Sequence, residues 1–114
     1  RADPQYNVDG EQCVWIAKAN SGSKAVGIKL FDDLSSVSEA AGKGRVYQKY
    51  IERPLLIAGR KFDLRCWVLV TDWSTLSVWV YDQCLLRLCN QQWDLGQIKN
   101  RTAHLSNVCV NVNN

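Results

Sequence analysis

Charged and apolar residues alternate without a break through Lys61-Phe62-Asp63-Leu64-Arg65, and a two-residue period of this kind fits an extended strand. Lys61, Asp63 and Arg65 then share one face, while Phe62, Leu64 and Cys66 share the other. Neighbours along a face stand about 7 Å apart, twice the rise per residue of a strand. The row sets two cations around one carboxylate and suits an anion such as a nucleotide phosphate. A solvated sheet face with cross-strand ion pairs is the plainer reading. Arg87 weighs against it, because it interrupts the apolar run Leu85-Leu86-Arg87-Leu88 and a cation buried there needs an anionic partner. Asp63, or a bound carboxylate or phosphate, would supply one.

The segments around this row read as short strands separated by turn clusters. Residues 1–12 are polar, with Pro4 and Gly10, and form an irregular lead-in. Cys13-Val14-Trp15-Ile16-Ala17-Lys18 is rich in strand formers and delivers Lys18 to the flexible small-residue loop Asn20–Gly27. Gly27–Phe31 is extended, and Asp32 or Asp33 caps a short helix through Ala41. A strand from Arg45 to Ile51 ends at Glu52-Arg53-Pro54, since proline has no amide hydrogen for a ladder. Lys61–Thr71, Leu76–Tyr81 and Cys84–Cys89 predict three consecutive strands of an antiparallel meander. Beyond Asn90 the chain is polar, with weak order at Trp93–Ile98, an extended piece at His104–Val110 and a tail at 111–114.

With 114 residues, 46% of them hydrophobic, the chain has the size of one domain or less. Its 14 basic and 11 acidic residues are interspersed, giving a net charge of +3. Such a balance lacks the broad basic field of a dedicated nucleic-acid binder. The five cysteines are odd in number and scattered, and three lie in apolar runs, which predicts reduced, buried thiols rather than a disulfide framework. There is no C-x-x-C pair and a single histidine, so a zinc site is not expected. No apolar segment approaches bilayer-crossing length. The chain opens on Arg1, as expected for a piece of a longer protein.

Other elements carry weaker signals. Lys18 and Lys24 border a Gly/Ser loop of the kind that brings backbone amides close to phosphate oxygens, though the Walker order is absent and a solvated strand end is the ordinary reading. Gln48-Lys49-Tyr50-Ile51 meets a strand break whose edge could hold a base. Ser106 and Asn107, in His104-Leu105-Ser106-Asn107, offer hydroxyl and amide groups to a ligand. Trp67, Trp73, Trp79 and Tyr81 are read as core or rim.

Taken in order, Trp15-Ile16-Ala17-Lys18, Gln48 through Ile57, Lys61 through Arg65, Trp67 through Trp73 and His104 through Asn107 resemble the tubulin tyrosine ligase-like family. The match spans roughly residues 13–110. It implies a partial ATP-grasp domain of the α+β class, an antiparallel sheet with one or two short helices. Glu52 through Ile57, Thr71-Asp72-Trp73 and Val78-Trp79-Val80-Tyr81 are most similar to the glycine-ligase branch, with the tyrosine ligase and polyglutamylases as nearer alternatives. The implied activity is ATP-dependent attachment of an amino acid, glycine, to glutamate side chains of tubulin or microtubules through an acyl-phosphate. That activity implies a cytoplasmic, cytoskeletal or ciliary setting, with no membrane or nucleic-acid partner. A non-catalytic fragment that keeps nucleotide or tubulin affinity, and a plain interaction domain, are the rivals.

Carried over by position, the resemblance implies that Lys18 and Lys24 contact ATP phosphates and that Gln48, Lys49, Tyr50 and Ile51 hold the adenine. Lys61 and Asp63 would touch the nucleotide, and Arg65 its phosphates or the acyl-phosphate. Lys61 and Arg65 are thus the catalytic candidates. Arg87 would grip the amino acid's carboxylate, and Ser106 and Asn107 would lie near the nucleotide. Lys18, Lys61 and Arg65 are expected to converge on one pocket. Two departures stand out. Ala25 replaces the family's loop glycine, and the family's magnesium ligands fall beyond Asn114.

Overall fold

The computed structural model describes residues 6–39, 42 and 44–112. In chain order these form α1 (Tyr6–Asp9), β1 (Trp15–Ala19), β2 (Lys29–Phe31), α2 (Leu34–Glu39), β3 (Arg45–Lys49), β4 (Leu56–Ile57), β5 (Arg60–Arg65), β6 (Val68–Asp72), β7 (Ser77–Val80) and β8 (Leu85–Leu88). A 3-10 turn (Leu95–Gln97), α3 (Arg101–His104) and α4 (Val108–Asn111) follow. Every strand pair is antiparallel, and the α+β class holds. The helix expected to run through Ala41 is described only to Glu39, the rest lying outside the described residues. Its cap is Asp33, whose carboxylate accepts the Ser36 amide at 2.6 Å and the Ser35 hydroxyl at 2.5 Å. These bonds hold the Asp33 carboxyl down at about 2.

The first ladder has the order β2-β1-β3. β1 sits in the middle, which is why Ile16 and Ala17 are its buried residues. Val14, Ile16, Ala25 and Tyr50 meet Ile98 and Leu105 of the C-terminal segment in the core, with Trp93 packed against them. The extended piece expected at His104–Val110 is largely helical, with only Leu105-Ser106-Asn107 open between α3 and α4. That opening places Leu105 in the core and Ser106 toward β5.

The expected meander is not formed. The strand read as Lys61–Thr71 breaks at Cys66-Trp67, because its two halves belong to different ladders. β5 pairs with β4 and β8, whereas β6 pairs with β7. Nesting β6–β7 between β5 and β8 brings Arg87 directly opposite Asp63, a position that the third strand of a meander would not reach. The β6–β7 arm projects from the body. Trp67, Trp73, Trp79 and Tyr81 are all exposed there, so they are rim and not core. The Cα radius of gyration is 16.3 Å, against about 13 Å for a compact chain of this length. Of the five cysteines only Cys89 is buried, against the expectation of buried thiols; Cys13, Cys66, Cys84 and Cys109 are exposed, and Cys66 and Cys84 lie just outside strand ends, where no described segment packs over them.

At the break after β3, Glu52 is 4% exposed and accepts the Gln12 amide at 2.8 Å, the Val14 amide at 2.9 Å and the Lys49 ammonium. Burial pushes its carboxyl up, but these donors outweigh that and hold it below its ordinary value. Gly10 packs against this carboxylate with φ +69°, and a Cβ there would stand 2.8 Å from Glu52 Cβ. Gly10→Ala is therefore expected to cost about 2 kcal/mol, from left-handed strain and overpacking together. Thermal melting of the variant checks it.

Candidate functional site

β5 is aimed by a tight hairpin. Ile57 pairs with Arg60, so Ala58 and Gly59 form a two-residue turn, both at positive φ, as the twist of the flanking strands requires. The Gly59 carbonyl accepts the Trp93 amide at 2.9 Å, which sets the indole beside Lys61. From β5, Lys61 reaches a cleft of about 440 Å3 that it lines with Asp9, Ile16, Lys18, Gln48, Lys49, Tyr50 and Ile51. Lys18 enters from β1 and donates to Gln48 Oε1 on β3 at 2.6 Å. Lys49 is committed to Glu52 and to the Asp9 carbonyl, at 2.9 Å from the latter.

Lys61 is held by a directed chain of hydrogen bonds. His104, 1% exposed, has Nε2 at 3.1 Å from the Gln97 carbonyl and Nδ1 at 3.1 Å from the Tyr50 hydroxyl. A carbonyl only accepts, so Nε2 carries the hydrogen. Burial lowers the His104 pKa, the ring is neutral, and Nδ1 accepts the Tyr50 O–H. The Tyr50 oxygen then accepts from Lys61 Nζ at 2.9 Å, and Lys61 also donates to the His104 carbonyl at 3.0 Å. The ammonium lies 4.5 Å from the Tyr50 ring centroid and 5.9 Å from that of Trp93, within cation–π range. Burial depresses the Lys61 pKa, and the nearby Lys18 charge adds to the effect. An ammonium has three hydrogens. Two are taken here, leaving one for a ligand in the cleft.

Further along the same face, Arg87 Nε and Nη2 donate to the two Asp63 oxygens at 2.6 and 2.5 Å. Burial pushes the Asp63 carboxyl up, but Arg87, the Ser106 hydroxyl and Arg65 together hold it below its ordinary value. Arg65 and Arg87 line a second cleft, of about 510 Å3, with Lys24, Asn107, Val108, Cys109 and Val112. The cationic row is thus divided: Lys18 and Lys61 share one cleft, while Arg65 belongs to the other. The expectation of a single pocket around Lys18, Lys61 and Arg65 gives way to two clefts with β5 contributing to both. The division follows from the strand's own rise, which carries Arg65 well past Lys61.

The loop before the second cleft is pinned rather than loose. The Ala25 carbonyl accepts from Arg101 Nη2 at 2.8 Å, and the Lys24 carbonyl from Cys109 Sγ at 2.9 Å. Lys24 and Ala25 have φ of 59° and 60°, the region that favours glycine, so the alanine departure falls on a residue whose backbone is strained. Sequence reasoning missed two supports of the site. Glu52 lies in a strand break and Trp93 in a stretch of weak local order, and neither carries a local pattern that foretells its distant partners.

The model of the tubulin-tyrosine ligase family matches residues 3–114. Tubulin glycylase 3D of Tetrahymena thermophila is 38% identical over 113 residues, covering 96% of this chain and 11% of its own length. Human tubulin monoglycylase TTLL3 is 40% identical, covering 91% of this chain and 14% of its own length. Tubulin glycylase 3A of Drosophila melanogaster is 39% identical, covering 94% and 11%. The chain therefore spans about a tenth of the length of these relatives. Its blocks occur in family order over nearly its whole extent, and it belongs to the tubulin-tyrosine ligase family.

Proposed function

We propose that this chain is the nucleotide-binding part of an ATP-dependent ligase that attaches glycine to glutamate side chains of tubulin. One observation carries the reading: a single strand face supplies cations to two clefts, Lys61 beside Lys18 in one and Arg65 beside Arg87 and Lys24 in the other. A polyphosphate and a second anion can then be held along the same strand. ATP enters as a substrate, its base against Gln48, Lys49, Tyr50 and Ile51, its phosphates against Lys18 and Lys61, with Asp63, Ser106 and Asn107 toward the nucleotide. Arg65 and Lys24 face the transferred phosphoryl group, and Arg87 the glycine carboxylate.

In the first step a glutamate oxygen takes the terminal phosphoryl group and ADP leaves. In the second the glycine amine attacks the acyl carbon and phosphate departs, forming the isopeptide bond. Negative charge gathers on phosphoryl oxygens, which fixed cations stabilise. Among the described residues no three His, Cys, Asp or Glu side chains gather to hold a metal ion. The steps assigned to this chain are those that its own cations can assist. No helix among the described residues is long and apolar enough to cross a membrane. With tubulin as the proposed acceptor, the proposed site of action is the cytoplasm, cytoskeleton or cilium.

The test is incorporation of labelled glycine, glutamate or tyrosine into tubulin by the full-length protein with ATP. Glycine incorporation is expected, with Arg87→Ala raising the KM for glycine at least about tenfold, as for loss of a charge-assisted contact. Incorporation of glutamate or tyrosine instead would overturn the glycine assignment. No ATP-dependent incorporation at all would overturn the ligase.

A further inference from the structure

Cys66 and Cys84 lie one position beyond the last pair of the β5–β8 ladder, Arg65 opposite Leu85. Alternation places them on the face away from the charged row. Their sulfurs are 2.6 Å apart, both residues are exposed, and both thiols are free. Opposed positions of antiparallel strands hold Cα atoms about 4.5–5.5 Å apart, within the span a disulfide bridges. The other thiols are placed differently: Cys89 is fully buried, Cys109 donates to the Lys24 carbonyl, and Cys13 faces the Glu11 carbonyl.

We propose that Cys66 and Cys84 form a dithiol modification site, which a small-molecule disulfide converts to an internal disulfide. One protein thiolate attacks a sulfur of the small disulfide, breaking its S–S bond, releasing one small thiolate and leaving a mixed disulfide. The second protein thiolate attacks the sulfur of the first cysteine, breaking the mixed bond and releasing the other small thiolate. Two protein thiols are oxidised and one small disulfide is reduced; the two cysteine protons end on the released thiols. The hydrogen bond to Cys66 pushes the Cys84 thiol up, so the exchange quickens with alkaline pH. The bond closes the base of the β6–β7 arm and ties together the strand ends whose other face carries Arg65 and Arg87. Its formation is independent of the ligase reading.

Equilibrating the full-length protein with glutathione disulfide and glutathione tests the site. The expected result is loss of two titratable thiols and a digest fragment joining Cys66 to Cys84. That fragment is lost in both Cys66→Ser and Cys84→Ser, and dithiothreitol restores the thiols. Separate glutathione adducts on Cys66 and Cys84 without the joined fragment would overturn the proposal, as would a fragment joining either to another cysteine.

Discussion

Lys61→Met in the full-length protein is expected to lower ATP-dependent ligation by about 10²–10³-fold, the loss typical of removing one fixed donor to developing charge. The methionine keeps the length of the stem, so the core around Tyr50 and Trp93 stays filled while the ammonium goes. Tyr50→Phe separates the charge from its support. It removes the hydroxyl that accepts from Lys61 Nζ, and it leaves both rings in place. Burial already lowers the Lys61 pKa from 10.5, and loss of an acceptor that favours the charged form lowers it further. Phosphate binding that depends on the ammonium is lost as pH rises through this pKa. The alkaline fall in ATP affinity should therefore begin at lower pH in Tyr50→Phe than in the parent. An unchanged KM for ATP in Lys61→Met would remove Lys61 from the site. A weakened Lys61→Met beside an unshifted profile for Tyr50→Phe would remove only the hydroxyl's positioning role.

The second large effect concerns stability. Glu52→Ala leaves the Lys49 ammonium and the amides of Gln12 and Val14 without their shared acceptor, in a place the residue otherwise fills almost completely. Breaking a buried ion pair from one side costs about 3–5 kcal/mol. Partial exposure of Lys49 puts this case near the lower figure. Against total stabilities of about 5–15 kcal/mol, this is a large fraction. The folded pKa of Glu52 is depressed from about 4.5, so its contribution is complete above that value and disappears as pH falls below it. Glu52→Ala should therefore show a lower melting temperature at neutral pH and a flatter acid limb below about pH 4.5. Equal melting temperatures for parent and variant at pH 7 would show that the carboxylate is not the tie between the lead-in and β3.

The charged face of Lys61, Asp63 and Arg65 was legible because alternation is a property of neighbours in the chain. The need of Arg87 for an anion was legible for a similar reason, since an arginine in an apolar run announces its own desolvation. Which anion it finds was not legible. Asp63 meets it only because β8 pairs with β5, and that pairing depends on β6 and β7 closing on each other first in the topology. The helical turns near His104 were not legible, because their few residues are set by contacts with Tyr50, Gln97 and Asn111 more than by local propensity.

What the chain determined by itself, then, were the approximate places of its short strands and the shared face of Lys61, Asp63 and Arg65, both consequences of spacing along the backbone. Tertiary structure alone decided that Lys61 is held by Tyr50 and His104, that Arg65 stands in a different cleft from Lys18, and that Glu52 gathers donors from across the fold. Those outcomes depend on side chains distant in sequence meeting where water is excluded, and the cost of leaving a buried charge unpaired selects the partners.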